Sequence, residues 1–184
     1  HILFLKTWLI RIAGFLTHRR YRYFNQLQIE GSEIIRSLPD TNVLFISNHQ
    51  TYFADVVAMF HVFNASLKGR ENNIKNVMYL WNPKLNMYYV AAKETMQEGL
   101  LPRILAYAGA ITVERTWRAK GKDVTEKKEV NPNDTENIKI ALEDGWVITF
   151  PQGTTRSFKP VRKGTAHIIL QHKPVVVPIV IDGF

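Results

Sequence analysis

Residues 43–60 read V-L-F-I-S-N-H-Q-T-Y-F-A-D-V-V-A-M-F. The first five, Val43–Ser47, are strand-forming apolar side chains closed by a serine, and they predict a buried strand. From Ala54 an apolar segment runs to residue 63 and predicts a helix. Between the two lie Asn48, His49 and, on the first helical turn, Asp55. An imidazole and a carboxylate thus stand where a strand stops and a helix begins. If strands and helices go on alternating, that place is the edge of a sheet where functional groups gather.

They do go on alternating. Val77–Leu80 is read as a second strand, residues 88–92 as another, residues 100–108 as a helix and Ala110–Val113 as a strand. Residues 120–133 are charged, with glycine and proline, and predict a solvated loop. Asp134 then caps a helix that reaches residue 143 and stops at Gly145. Residues 146–150 predict a strand, 165–171 a helix and 175–181 a final strand. The fold class expected is α/β, with a mostly parallel sheet flanked by helices. Residues 1–30 are expected to hold an amphipathic helical segment and a lead-in strand, and residues 31–184 the α/β domain. The chain opens on His1 and stops right after an apolar run, the pattern expected of a piece trimmed at its ends.

A length of 184 residues with 46% hydrophobic and 22% charged side chains is the composition of one globular domain with one sizeable core. There is no cysteine, which excludes disulfide frameworks, thiolate zinc sites and a cysteine nucleophile. The formal charge of +8 favours an anionic partner: nucleic acid, an anionic membrane surface or a phosphorylated substrate.

The opening I-L-F-L-K-T-W-L-I-R-I-A-G-F-L is shorter than the ~20 apolar residues that a hydrocarbon span needs, and it carries Lys6 and Arg11. On a helical wheel Thr7, Arg11, Gly14 and His18 share one side, while Phe4, Trp8, Ile12, Phe15 and Leu16 lie away from it. The following H-R-R-Y-R-Y-F sets arginines among aromatics, the composition of an interfacial anchor. This predicts docking on an anionic membrane surface without crossing it. The other reading is a core helix whose apolar face packs on the domain.

Three loops carry residues that could do chemistry. The first holds Asn48, His49 and Asp55; a histidine held by a carboxylate is a general base of fixed tautomer and orientation. The second brings Arg115 after the strand Ala110–Val113. The third, F-P-Q-G-T-T-R-S-F, offers Gly153 for close backbone approach, donors at Thr154 and Thr155, and the charge of Arg156, with Lys163 soon after. Such a loop can cradle a phosphate or a developing oxyanion. Each alone has an ordinary structural reading, since aspartate caps helices and Gly-Thr turns are common. The conjunction, in order, at strand ends of one sheet is what carries weight.

Taken together these blocks resemble the glycerolipid acyltransferases, the family typified by 1-acyl-sn-glycerol-3-phosphate acyltransferase. Asn48, His49 and Asp55 resemble its N-H-x4-D block. Gly109, Ile111, Val113 and Arg115 match G-x-I-x-[IV]-x-R. Phe150, Pro151, Gly153, Thr154 or Thr155, Arg156 and Ser157 are similar to F-P-E-G-T-R-S, and Pro178 sits centrally in a strand as in the fourth block. A-A-K-E at 91–94 and R-K-G at 162–164 also resemble family positions. Two departures stand out. One extra residue separates His49 from Asp55, which on a continuous helix would swing the carboxylate by ~100°, so a bulged turn must absorb it. The third block also has a residue too many, and Gln152 where the family has glutamate.

The resemblance implies transfer of a fatty acyl chain from acyl-CoA or acyl-carrier protein to the hydroxyl of a lysolipid, as in phospholipid biosynthesis, on the cytoplasmic face of a membrane and without a cofactor. His49 would be the general base and Asp55 its orienting partner. Arg115, Arg156 and Lys163 would hold the acceptor phosphate, and Gly153, Thr154 and Thr155 would offer oxyanion donors. Lyso forms of amino-acid-headed lipids are alternative acceptors, and a catalytically silent lipid-binding relative is an alternative to an enzyme. No metal site is expected, since His167 and His172 lack a carboxylate cluster. A nucleic-acid-binding module would fit the charge and H-R-R-Y-R-Y-F but leaves the His-Asp pair unexplained.

Overall fold

The structure is a computed structural model and describes residues 2–97, 99–114, 118, 119, 122, 123, 131–156 and 158–183. Five strands, β1 (Val43–Ser47), β2 (Met87–Ala92), β3 (Ala110–Val113), β6 (Trp146–Thr149) and β7 (Val175–Ile179), form one sheet in the order β3-β2-β6-β1-β7. Every pairing in it is parallel. Two short strands, β4 (Arg118–Ala119) and β5 (Lys122–Asp123), pair antiparallel apart from it; most of the predicted loop 120–133 lies outside the described residues.

Helices cover both faces of the sheet, and the strands are apolar on both sides accordingly. Val43 and Phe45 point to one face, where Phe45 stacks on Phe63 of α2 (Ala54–Leu67) at 4.3 Å and meets Trp146 edge-on. Leu44 and Val147 point to the other, beneath α5 (Pro132–Asp144) and α6 (Lys163–His172), where Leu142 and Ile168 close the core. The short helices α3 (Lys93–Gln97) and α4 (Leu100–Ala106) connect β2 to β3. Because the sheet is parallel, the loops after β1, β3 and β6 all leave it at one edge.

Three local expectations are corrected. Val77–Leu80 is a 3-10 helix and not a strand: the Asn76 side chain accepts the Met78 amide at 3.2 Å and Tyr79 and Leu80 turn into the core. Residues 26–30 make no lead-in strand, because Gln26 takes φ 48 and the Leu27 amide bonds back to Tyr21 O at 2.9 Å. The cap of α5 is Asn131, which accepts from Asn133; Asp134 accepts the Glu114 amide at 2.7 Å and so ties the end of β3 to the helix.

The N-terminal helix α1 (Ile2–Arg19) packs with its polar side inward. Lys6 is buried, donates to Met87 O at 3.0 Å and lies 4.3 Å from the Tyr88 ring; burial lowers its amine to about 8 against the opposing pull of Asp144. Arg11 donates to Trp81 O and its guanidinium covers Trp8 and Trp81. His18 meets Ile74 O at 2.7 Å. Leu3, Phe4, Trp8, Ile12, Phe15 and Leu16 face outward, with Leu16 75% exposed. These side chains form the exposed stripe of the helix, although Ile12 and Leu16 also line a cavity toward α2 and α4 and Ile10 is buried in the core.

Candidate active site

β1 and β6 are neighbours in the sheet, so the turn after Ser47 and the loop after Thr149 leave side by side. His49 Nδ1 lies 2.7 Å from Asp55 Oδ2, and the imidazole stacks on Phe150 with centroids 4.1 Å apart and 22° between planes. His49 keeps 15% of its side-chain surface open, while Asp55 is fully buried. His49 Nε2 bonds to no described residue, so the ring presents it to the opening.

The extra residue between His49 and Asp55 is absorbed in the turn before α2. There the backbone folds so that the Gln50 and Thr51 amides both donate to Asp55 Oδ2, at 2.8 and 3.0 Å. The Thr51 hydroxyl donates to Oδ1 at 2.9 Å, and Thr51 Oγ1 accepts the Asp55 amide at 3.1 Å. Burial pushes the Asp55 carboxyl up, but the bonds from His49, from the Thr51 and Gln50 amides and from the Thr51 hydroxyl outweigh it and hold the group below its ordinary value. A buried carboxylate with these partners stays ionised and fixes the proton of His49 on Nδ1.

Asn48 has a structural task. Its side chain donates to Ile181 O at 2.6 Å and accepts from the Ile181 amide at 2.8 Å, extending the β1–β7 ladder past the strand ends. Ser47 lies at the end of β1, as the sequence reading has it.

In the third loop Gly153 takes φ 62, a left-handed conformation that favours glycine, and its amide donates to Phe150 O at 2.9 Å. This bond uses the Gly153 amide to close the turn. The amides of Thr154 and Thr155 bond to no other described residue. Gln152 Nε2 donates to Lys159 O at 3.0 Å and the Arg162 amide to Pro151 O at 2.8 Å, so the loop is tied across its base. A glutamate at 152 could not donate that bond, which accounts for the amide there. Arg156 and Lys163 are exposed, on this loop and at the first turn of α6. Arg115 lies outside the described residues; β3, which leads to it, stands three places from β1, ~14 Å across the sheet.

Two residues to which the sequence reading gives no role complete the site. Phe150 stacks on the base, which only the adjacency of β1 and β6 brings about. Thr51 binds Asp55 at both its amide and its hydroxyl, across a four-residue spacing that differs from the S/T-x-x-E/Q capping box.

An apolar cavity of about 220 Å³ runs between α1, α2 and α4. Phe53, two residues before Asp55, lines it together with Val56, Val57, Phe60, Ala13 and Leu105.

A scan of protein-family models matches residues 26–182 to the acyltransferase family. This chain belongs to the acyltransferase family, that of glycerolipid acyltransferases such as the 1-acylglycerol-3-phosphate acyltransferases. No curated protein and no solved structure gives a significant match. The match covers every strand of the parallel sheet and both loops that meet at His49, so the acyltransferase carries the pair inside its family domain.

Proposed function

We propose that this acyltransferase moves a fatty acyl group from acyl-CoA or acyl-carrier protein to the free hydroxyl of a lysolipid such as 1-acylglycerol-3-phosphate, in phospholipid biosynthesis. The observation that carries the reading is the His49–Asp55 contact at 2.7 Å with Nε2 left to the opening. Nε2 takes the proton of the acceptor hydroxyl as its oxygen attacks the thioester carbonyl. The tetrahedral intermediate collapses by breaking the C–S bond, and the leaving thiolate takes the proton back from the imidazolium. The thioester is already activated, so no covalent enzyme intermediate is needed. The Thr154 and Thr155 amides are the proposed oxyanion donors, and Arg156, Lys163 and Arg115 the proposed phosphate ligands, for which guanidinium groups supply forked, charge-assisted bonds. The apolar cavity beginning at Phe53 supports a hydrocarbon-bearing substrate.

The proposed place of work is the cytoplasmic face of an anionic membrane, where the soluble donors are found. The outward apolar side of α1 supports this, together with Arg19, Arg20 and Arg22 at its end. No helix among the described residues is long and apolar enough to cross a membrane. Product analysis by mass spectrometry tests the reading, with phosphate-headed and amino-acid-headed lysolipids offered alongside each donor type. A product that carries the donor's acyl chain and disappears in His49→Ala is expected. No acylated lysolipid with any pairing overturns it in favour of a silent lipid-binding relative.

A further inference from the structure

The turn from Gln50 to Phe53 holds one residue more than the N-H-x4-D pattern, and the carboxylate still reaches the imidazole. The extra residue does not leave a loose bulge. It forms a closed pocket of donors in which Asp55 Oδ2 accepts from His49 Nδ1 and from two successive amides, while Oδ1 accepts from the Thr51 hydroxyl. Three donors hold Oδ2, and among the described residues the Thr51 hydroxyl is the donor that holds Oδ1, so the carboxylate is braced at both oxygens. The same Oγ1 accepts the amide of Asp55, so backbone and side chain of the aspartate are both referred to one atom.

We infer that Thr51 is a positioning residue for the acyl transfer: its hydroxyl braces Asp55 at Oδ1 and at the backbone amide, and through that aspartate the aim of His49 in the lengthened turn. The inference rests on His49 being the general base. It differs from an ordinary helix cap in what it predicts. A cap stabilises α2 through the Asp55 amide, and its loss lowers the melting temperature alone. A positioning hydroxyl acts on the rate at unchanged substrate binding, because the Thr51 hydroxyl bonds Asp55 and not the proposed substrate ligands. Threonine and serine supply the same hydroxyl; valine keeps the shape and removes it.

The test compares Thr51→Val, Thr51→Ser and His49→Ala in the full chain, reading kcat, acceptor KM and melting temperature, together with the low-field proton resonance of an Nδ1–H held by a carboxylate. Removing a hydrogen bond to a charged group is expected to lower kcat roughly 10- to 100-fold in Thr51→Val, with acceptor KM within about twofold and the low-field resonance shifted or broadened. Thr51→Ser should restore kcat and the resonance. Should Thr51→Val fail to fold, Thr51→Ala reads the same loss without the branched side chain. The inference is overturned if the valine or alanine variant keeps wild-type kcat while only its melting temperature falls, or if serine and valine lose equally. An active His49→Ala would instead overturn the general-base reading itself, whatever Thr51 does.

Discussion

Asp55 Oδ2 lies 2.7 Å from His49 Nδ1 although the carboxylate sits on the first turn of α2 and the imidazole on the loop before it. The contact ties chemistry to architecture: β1 delivers the ring, α2 delivers the acid, and Phe150 from the neighbouring strand holds the ring's face. His49→Ala should therefore lower kcat by about 10²–10⁴, with the domain still folded because Asp55 keeps its donors from Gln50 and Thr51. Asp55→Asn should lose nearly as much and also lose stability. Its amide has one oxygen for the four donors that the two carboxylate oxygens accept. A steady-state assay with His49→Ala above about half of wild-type kcat contradicts the assignment.

Arg156 and Lys163 are proposed as ligands of one anion, so the kinetic signature of each should be binding and not chemistry. Arg156→Ala should raise acceptor KM more than it lowers kcat, with donor KM changed less. Arg156→Lys should rescue in part, because an ammonium keeps the charge and loses the fork. With an acceptor lacking the phosphate, wild type and variant should behave alike. A fall in kcat at constant acceptor KM would show that the guanidinium acts on the transition state or the fold.

Much of this was legible in the sequence, and what was not has definite causes. The bounds of β1 and β3 follow from short apolar runs closed by Ser47 and by Glu114, and α2 runs past its predicted end to Leu67 because Asn64, Ala65 and Ser66 are buried against neighbours that only the fold supplies. Val77–Leu80 has too few residues for periodicity to separate strand from 3-10 helix, and the Asn76 cap decides it. The helical wheel divides α1 correctly but does not say which side packs. The structure turns the Arg11, Gly14 and His18 side inward, where carbonyls of Trp81 and Ile74 receive the polar groups. The His-Asp pair is legible from spacing. Its stacking on Phe150 is not, because chain order does not reveal that β6 lies beside β1.

The exposed side of α1 makes a prediction that does not depend on unfolding anything. Phe4 and Phe15 are 69% and 42% exposed, so Phe4→Asp and Phe15→Asp should leave the domain folded and weaken sedimentation with anionic vesicles. Replacing Arg19, Arg20 and Arg22 with glutamine should weaken docking by ~1 kcal/mol per charge at low salt and by less at high salt. Equal sedimentation of the Asp variants and wild type places the docking surface elsewhere.

His61 gives the fold a predictable acid limit. Thr17 Oγ1 donates to Ala13 O at 2.7 Å, so it accepts from His61 Nε2 at 2.9 Å, which leaves Nδ1 to accept the Tyr79 hydroxyl at 2.7 Å. That relay is complete with a neutral ring. Burial, with a smaller push from His18, lowers the imidazole from an ordinary 6.5 to about 3. Between those values the unfolded chain binds a proton that the folded chain refuses. Stability from this group is thus fully present above about pH 6.5 and is lost as pH falls toward about 3. Asp55 also has a lowered value, but its ordinary value is 3.8, so its contribution is lost at lower pH and leaves the upper part of the window to His61. Denaturant titrations from about pH 6.5 to about pH 4.5 should show wild type losing up to ~1.4 kcal/mol per pH unit from this residue, ~2–3 kcal/mol across the interval. His61→Gln, which can still bond Thr17 and Tyr79 but cannot take the proton, should start less stable and lose less over the same range. Parallel losses in the two proteins would mean that the folded state accepts a proton on this ring and that the α1–α2 contact opens to let it in.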